Sequence, residues 1–375
     1  MKLFQQLLVA GTAMSLIAPI AAQASDSLNL EGMNSYVRST KKSRSKRFDS
    51  NTFINKVNED LATKESSIDD QNIFEAGSFS DTTTMDGKAI FTVGSVETED
   101  GFDPPTYDGK VMANYTYQMN VNTSFNGDDN LYIRLKTGNH DGPSDKKSSY
   151  NTYLSAGTGK GDLFMVDKIW YTMPIGDTNN TIFIGPAVEN YYMHGTTPSI
   201  YKSVLKSFTL GGNAAAYGAS TSPGAGWKYE ADNGFAVSSN FTTQDGEDTK
   251  GMLTEGGKTS WATQVGITKP QYSVSAIINM KYNGWTDDYY KSTDGSKRPT
   301  SAGAATGGDS TNIGLRGWWR PLETGTATPS ISVGYDTSKT DASTGGDSTD
   351  SYFVGLTWQD IMTADDRIGV AFGQP

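Results

Sequence analysis

The 375-residue chain contains no cysteine and only two histidines, His140 and His194. Without cysteine there is no disulfide scaffold, no thiolate metal site and no thiol nucleophile. A metal centre built on histidine is disfavoured because two residues supply too few ligands, and we expect neither a metal nor a cofactor. The formal net charge of −11 disfavours nucleic acid as a partner, since surfaces that bind phosphate backbones are basic.

Long hydrophobic runs are also missing from most of the chain. After residue 24 the longest unbroken apolar run spans residues 163–166, whereas a transmembrane helix requires about 18 apolar residues. Lipid offers backbone groups no hydrogen-bonding partner. A chain without such a helix therefore spans a membrane only as a closed β-barrel.

Catalytic motifs are a third absence. Residues 157–161, Gly-Thr-Gly-Lys-Gly, resemble a phosphate-binding loop in composition but lack the G-x-x-x-x-G-K-S/T spacing. Acidic pairs such as Asp128-Asp129 offer oxygen ligands of the kind that Ca²⁺ takes, but we interpret them as solvent-exposed loops. We therefore predict that the chain is not an enzyme.

The N-terminal segment is typical of an exported protein. Lys2 precedes an apolar stretch over residues 7–21, and Ala22-Gln23-Ala24 matches a signal-peptidase site. We predict a cleaved signal peptide over residues 1–24. The alternative, an anchor helix, needs about 20 apolar residues and a stop-transfer flank.

Residues 25–80 are polar, and we interpret them as a reduced periplasmic region. They contain a basic run at residues 41–47 and a helical spacing of Ile54, Val57 and Leu61. This short helix is either the stump of a coiled coil or a marginal helix in a linker.

From about residue 81 onward, apolar and polar residues alternate with the period of a β-strand. In residues 111–122, Val, Ala, Tyr, Tyr, Met and Val alternate with Met, Asn, Thr, Gln, Asn and Asn. We count about fourteen such segments, of which those near residues 212 and 228 are weak. The pattern predicts an all-β, antiparallel transmembrane β-barrel over residues 81–375, with about 14 strands visible and about 16 in the complete protein.

Loops and aromatic residues favour a barrel over a soluble β-sandwich or β-helix. Short turns such as 232–234 and 269–270 alternate with long polar loops such as 139–160 and 283–309, as in a hairpin barrel. Aromatic residues lie near segment ends, where the two girdles of a membrane barrel require them. This aromatic set is Tyr115, Tyr117, Trp170, Tyr171, Trp227, Tyr229, Trp261, Tyr272, Tyr282, Trp319, Tyr352 and Trp358.

The polar faces of the strands line the lumen if the apolar faces point to lipid. Basic residues predominate there, and Arg and Lys raise the local concentration of anions, while amides and hydroxyls hydrogen-bond neutral sugars. The alternative is that some of these side chains lie at strand ends in the headgroup region. The candidate pore-lining residues are Gln118, Asn120, Arg134, Lys136, Lys228, Glu230, Gln264, Asn279, Lys281, Arg316, Arg320 and Gln359.

Residues 197–208 have the one helical pattern after residue 80. Ile200, Val204, Leu205 and Phe208 fall on one face, and a capping Ser/Thr precedes them. The predicted short helix either folds into the lumen and constricts the pore or packs as part of an outer loop.

Four stretches carry a family resemblance: residues 1–10 (MKLFQQLLVA), 74–89 (FEAGSFSDTTTMDGKA), 166–171 (VDKIWY) and 366–373 (DRIGVAFG). They resemble cyanobacterial outer-membrane porins related to the carbohydrate-selective, OprB-type family, some members of which are called iron-uptake porins. The likeness covers the leader and most of residues 74–373. It implies a trimeric barrel of about sixteen strands that passes small solutes such as sugars and inorganic ions.

The chain departs from that family in two places. Such porins usually carry an S-layer-homology domain and a coiled coil before the barrel, whereas residues 25–80 leave room for neither. The wall anchor is then either lost or replaced by the basic run at 41–47, which would make the contact with peptidoglycan or another wall polymer. The last residues, Gly373-Gln374-Pro375, are not a strand with a terminal aromatic, so we expect one or two further strands in the complete protein.

The sequence thus predicts an outer-membrane porin for passive diffusion of small hydrophilic solutes. Its expected partners are outer-membrane lipid, small solutes and two further copies of itself. A structural barrel that ties the membrane to the wall without conducting is the alternative, and a secreted β-rich adhesin or hydrolase is a third reading.

Overall fold

The computed structural model describes residues 82–97, 109–141, 153–212, 214–217, 221–244, 246–249, 251–285, 308–341 and 348–374. The predicted signal peptide, the basic run and the short helix of residues 54–61 lie outside the described residues. The boundaries proposed for these N-terminal regions therefore stay predictions.

Thirteen β-strands form one sheet in the described residues, and each strand pairs antiparallel with its neighbours in sequence. Strand order follows chain order, as a series of hairpin connections produces. The strands are β1 (Thr83–Gly94), β2 (Met112–Thr123), β3 (Asn130–Gly138), β4 (Met165–Pro174), β5 (Asn180–Glu189), β6 (Thr221–Glu230), β7 (Phe235–Gln244), β8 (Lys258–Thr268), β9 (Tyr272–Lys281), β10 (Ser310–Trp319), β11 (Ser330–Thr340), β12 (Ser348–Gln359) and β13 (Arg367–Gln374).

Side-chain alternation gives the sheet two different faces. In β10, Leu315 is exposed on the outward face, whereas Asn312 and Arg316 are buried on the inward face. The register with β11 places Leu315 beside Tyr335 and Arg316 beside Gly334, so each face keeps its character across strands. The predicted fold class, an all-β antiparallel barrel, is confirmed.

Connections between strands alternate in length. Short turns join β2 to β3, β4 to β5, β6 to β7 and β8 to β9, while long connections join β3 to β4, β5 to β6 and β9 to β10. The predicted rhythm of turns and loops holds from β2 to β10 but not beyond, because the β10–β11 connection (320–329) is longer than the β11–β12 and β12–β13 connections (341–347 and 360–366). In the β6–β7 turn, Gly234 has φ 85° and lies against the backbone of Thr268, so a side chain would not fit there.

The long connection between β5 and β6 turns into the concave side of the sheet. We call its described residues, 190–212 and 214–217, the inner segment. Because this single segment contacts the inward face from β8 to β12, the sheet is curved around it, while β1 and β13 have one neighbouring strand each. The contacts are Thr196 with Gln264 of β8, Thr197 with Trp318 of β10, Ile200 with Ser332 of β11 and Tyr201 with Phe353 of β12.

Two predictions are wrong within the inner segment. The weak strand expected near residue 212 is replaced by a 3₁₀ helix at Lys206–Gly211 and one α-helical turn at Ala214–Tyr217, because left-handed backbone at residues 210–212 breaks any extended run. The helix expected over 197–208 is not formed over 197–205. There the backbone nitrogens of Ile200 and Tyr201 donate to Ser332 on β11 instead of closing helical turns.

A further 3₁₀ helix, Asn190–Met193, begins the inner segment. None of the helices in the described part of the chain combines the length and the apolar character needed to cross a membrane.

Candidate functional site

The outward face of the sheet exposes large apolar side chains. Val274 of β9 is 59% exposed, Leu315 of β10 is 50% exposed and Phe372 of β13 is 69% exposed. Similar residues lie on β1, β4, β5 and every strand from β8 to β13. Monomeric soluble proteins rarely leave apolar patches of this extent on their surface, so this face suits contact with lipid.

Aromatic side chains occupy both ends of the outward face. Tyr272 and Trp319 are register partners next to the β8–β9 and β10–β11 connections, and Tyr335 and Tyr352 are partners nearer the β11–β12 connection. All four side chains are exposed, in the positions that two interfacial girdles would take.

Trp170 does not belong to the predicted girdle. It is buried inside the sheet, with its ring centroid 4.3 Å from that of Tyr132. Trp170 and Tyr171 are adjacent, and adjacent side chains of a strand point to opposite faces. Only Tyr171 could therefore face outward.

The inward face is polar and buried, the reverse of the core of a soluble protein. Gln264, Asn279 and Asn312 are at most 1% exposed. Gln264 Nε2 donates to Tyr217 Oη at 3.0 Å, and Asn279 Nδ2 donates to the carbonyl oxygen of Ala216 at 2.9 Å. The inner segment thus supplies the partners that buried polar groups require.

The inner segment crosses the lumen and meets a second inward loop. At its tip Leu205 forms a β-bridge with Leu154 of the β3–β4 connection, flanked by two backbone hydrogen bonds of 2.8 Å. The second loop is attached to β2, where Thr116 Oγ1 donates to the carbonyl oxygen of Ala156 at 2.7 Å. Together the two loops span the interior from β12 to β2.

A cavity of about 610 Å³ remains between these loops and strands β1–β6. Its lining includes tyrosines, serines and the amide of Gln118. Six basic and two acidic side chains line it, so positive charge predominates among its described residues. The charged lining residues are Lys88, Arg134, Lys136, Lys168, Lys202, Lys206, Asp167 and Glu189.

An ion-pair network forms one wall of this cavity. Arg134 Nη2 lies 2.5 Å from Asp167 Oδ2 and 3.5 Å from Glu189 Oε2, and Lys168 Nζ also pairs with Glu189. Arg134 Nη1 donates to Tyr192 Oη at 3.0 Å. Asp167 is the extra residue of a register shift against β3, which brings it to the same side as Lys168.

Lys136 and Lys206 extend the positive lining beyond this network. Burial lowers the pKa of Lys206 to about 8, and the charge of Arg134 acts in the same direction, while Asp167 opposes it. Part of the Lys206 population is therefore neutral near pH 8. The positive charge of the cavity decreases as the pH rises through that range.

A second buried ion pair lies against the inner segment on the opposite wall. Arg316 Nη2 donates to both carboxylate oxygens of Asp336, at 2.8 and 3.0 Å, and Arg316 Nε donates to the carbonyl oxygen of Leu210 at 2.8 Å. The side chains of Arg316 and Asp336 are 0% and 1% exposed. Arg316 is not part of the lining of the 610 Å³ cavity.

The predicted pore-lining residues therefore fall into groups. Those that line the large cavity are Gln118, Arg134 and Lys136. Those that are buried on the inward face outside its lining are Gln264, Asn279, Lys281 and Arg316. Those that line a smaller cavity of about 270 Å³ at the short-turn end are Arg320 and Gln359.

The three remaining candidates form local contacts on the inward face. Asn120 Nδ2 donates to Asp86 Oδ1 at 2.6 Å. Lys228 Nζ lies 2.9 Å from Glu230 Oε2. The structure thus does not bring all twelve candidates to one constriction.

Sequence reasoning missed the acidic partners of the inward face. Asp336 lies at an inward position of β11, so the period-two pattern could have identified it. Asp167 depends on a register shift, and Glu189 is the last residue of its strand. No periodic signal marks either of these two.

The interpretation of Asp128-Asp129 as solvent-exposed is wrong for Asp129. Asp129 is buried and accepts hydrogen bonds from the backbone nitrogens of Phe125 and Asn126, both at 2.9 Å, and from Tyr171 Oη at 2.6 Å. Asp128 is exposed. Within the described ranges, no group of three or more His, Asp or Glu side chains is arranged to hold a metal ion.

No family model and no curated protein matches the sequence. Among solved structures, OmpT, an outer membrane protein of Vibrio cholerae in trimer form, is similar with a TM-score of 0.43 and 13% identity, over 78% of this chain and 79% of that chain. The anion-selective porin from Comamonas acidovorans has a TM-score of 0.45 and 10% identity, over 77% and 78% of the two chains. A mutant of the Rh. blastica porin has a TM-score of 0.37 and 11% identity, over 78% and 100%. These structures are outer-membrane proteins and porins.

Proposed function

We propose that this chain is an outer-membrane porin through which small hydrophilic solutes diffuse passively. The observation that carries the proposal is the inverted sheet, apolar on its exposed outward face and polar on its buried inward face around a cavity. In water such a sheet would expose its apolar side chains. In lipid both faces meet a matching environment, and each of the strands β2 to β12 pairs its backbone groups with a strand on either side.

The charge of the large cavity supports a preference for anions and neutral solutes, including carbohydrates. Basic side chains outnumber acidic ones among its lining residues, and they raise the local concentration of anions while they slow cations. Gln118, Tyr153 and Tyr201 are among the lining residues, and side chains with amide and hydroxyl groups can hydrogen-bond neutral sugars.

Reconstitution of the full-length protein into planar lipid bilayers tests the proposal. We expect stepwise increases in conductance. In a KCl gradient, the reversal potential should have the sign that indicates a higher permeability for chloride than for potassium. Protein that inserts into the bilayer without any conductance steps would contradict the porin function.

Reversing one charge in the cavity tests the path itself. Lys136 lines the large cavity, so Lys136→Glu should lower the ratio of anion to cation permeability. The matched control is Lys339→Glu, which makes the same charge change on the exposed outward side of β11. Equal reversal potentials for the wild type and Lys136→Glu, or equal shifts for both variants, would show that the cavity is not the path.

A non-conducting structural barrel is the second candidate function. The joining of two inward loops at Leu154 and Leu205 favours it, since the bridge crosses the lumen. The two candidates differ in one measurement. A structural barrel inserts into the bilayer and leaves its conductance at the baseline in every variant.

The finer assignments rest on sequence patterns. We propose that the porin is of the OprB-related type, is exported after cleavage of residues 1–24, forms a homotrimer in outer-membrane lipid and contacts peptidoglycan through residues 41–47. Mass determination of the mature N-terminus tests the cleavage. Cross-linking in the membrane tests the trimer, and a pull-down on purified cell wall, with and without residues 25–80, tests the wall contact.

A further inference from the structure

The Arg316–Asp336 pair directs its hydrogen bonds to two structures at once, the barrel wall and the inner segment. Toward the wall, Arg316 Nη1 donates to the carbonyl oxygens of Leu315 and Tyr335 at 3.0 and 3.2 Å. Toward the inner segment, Arg316 Nε donates to the carbonyl oxygen of Leu210.

The backbone of the inner segment takes an unusual conformation where Arg316 holds it. Leu210 has φ 64° and ψ 18°, a left-handed conformation that residues other than glycine adopt only when their surroundings enforce it. Gly211 and Gly212 follow, also with positive φ. A side chain at Gly212 would overlap the Asp336 carboxylate, so this turn is seated directly on the ion pair.

The same turn borders the large cavity. Thr209 and Leu210 are part of the cavity lining, although Arg316 and Asp336 are not. A displacement of Leu210 from β10 would therefore move part of the cavity lining. The two charges of the pair compensate each other and are shielded from the lumen, so they add little to the field along the path.

We propose that Arg316 and Asp336 are positioning residues that fix the inner segment in one place, and thereby the width of the path, without contributing to its ion preference. The inference rests on the proposed porin function. It differs from the sequence prediction for Arg316, which named this residue among the candidate pore-lining residues.

Arg316→Lys is the main test, because lysine keeps the charge but loses the bidentate fork and the Nε donor. In planar bilayers the full-length variant should show a wider spread of single-channel conductance and more open-channel current noise. Its reversal potential in a KCl gradient should show no shift from the wild type. A shifted reversal potential, or conductance indistinguishable from the wild type, would overturn the proposal.

A double variant tests the same inference without leaving an unpaired buried charge that could prevent folding. Arg316→Met with Asp336→Leu leaves no buried charge without its partner, which is the costly outcome of a single removal, and it should give the same wide conductance at an unshifted reversal potential. The control is Asp350→Asn on the exposed outward side of β12. It should behave as the wild type does.

Hydrogen–deuterium exchange separates failure of this inference from failure of the porin function. In both Arg316 variants the amides of residues 206–217 should exchange faster, while those of β9–β11 keep their wild-type rates. If the wild type does not conduct, the porin function fails and the exchange data alone decide the positioning role. Unchanged exchange over 206–217 would reject it.

Discussion

Asp129 closes the β2–β3 turn through the hydrogen bonds that its carboxylate accepts from Ser124 Oγ and from the turn backbone. Burial raises the pKa of Asp129, but the hydrogen bonds from Tyr171 and the backbone outweigh burial, and the pKa is lowered overall. A carboxyl group whose pKa is lower in the folded state stabilises the fold above its unfolded pKa. That contribution is lost as the pH falls through the folded pKa.

Removal of this carboxylate should destabilise the protein. Asp129→Ala leaves the turn amides without their acceptor, and we expect the free energy of unfolding to fall by about 1–3 kcal/mol. The neighbouring change Asp128→Ala removes an exposed carboxylate and should stay within about 0.5 kcal/mol of the wild type. Urea unfolding in lipid vesicles at pH 7 measures both. Equal losses for the two variants would count against the role of Asp129.

At the scale of elements, His194 shows how the inner segment packs against the strands of the barrel. Its Nδ1 lies 2.8 Å from Ser238 Oγ on β7, and its ring meets that of Tyr217 edge-on at 5.8 Å between centroids. Burial lowers the pKa of His194 to about 3, and the positive charge of Lys228 acts in the same direction. The imidazole is therefore neutral in the folded protein at every physiological pH.

This buried imidazole predicts a weakening of the fold in acid. Below pH about 6.5 the unfolded chain binds a proton at His194 that the folded chain does not, so stability falls by about 1.4 kcal/mol per pH unit. The loss continues down to the folded pKa of about 3. His194→Gln should remove this component, which unfolding curves between pH 4 and 7 would reveal. Parallel pH profiles for the two proteins would refute the assignment.

The elements differ in how far the sequence could predict them. Strands such as β9 and β10 were predictable because the face of each side chain depends only on its position in the alternation. The inner segment was not predictable, because the backbone nitrogens of Ile200 and Tyr201 donate to Ser332 Oγ, which lies more than a hundred positions away in the sequence. The same holds for the site, where the sequence identified Arg134 as a lumen residue but did not identify its ion-pair partner Asp167.

At the scale of the whole molecule, the outward face predicts where substitutions are tolerated. Leu315 lies in the middle of β10 on the exposed apolar belt, and Leu322 lies in the β10–β11 turn. Leu315→Arg should cost about 2–4 kcal/mol of folding free energy in lipid vesicles, because the charge would enter the hydrocarbon region. Leu322→Arg makes the same change outside it and should cost little. Similar costs for both would contradict the placement of the membrane.

The inner segment depends for its position on strands that follow it in the chain. Residues 190–217 rest on Gln264, Trp318, Ser332 and Phe353, which belong to strands that come later in the chain. The segment reaches its final contacts only when those strands are in place, because the residues that it packs on belong to them. A sheet without the packed segment would leave a wider lumen than the finished protein has. Strands β8 to β12 therefore set the width of the lumen as well as forming part of its wall.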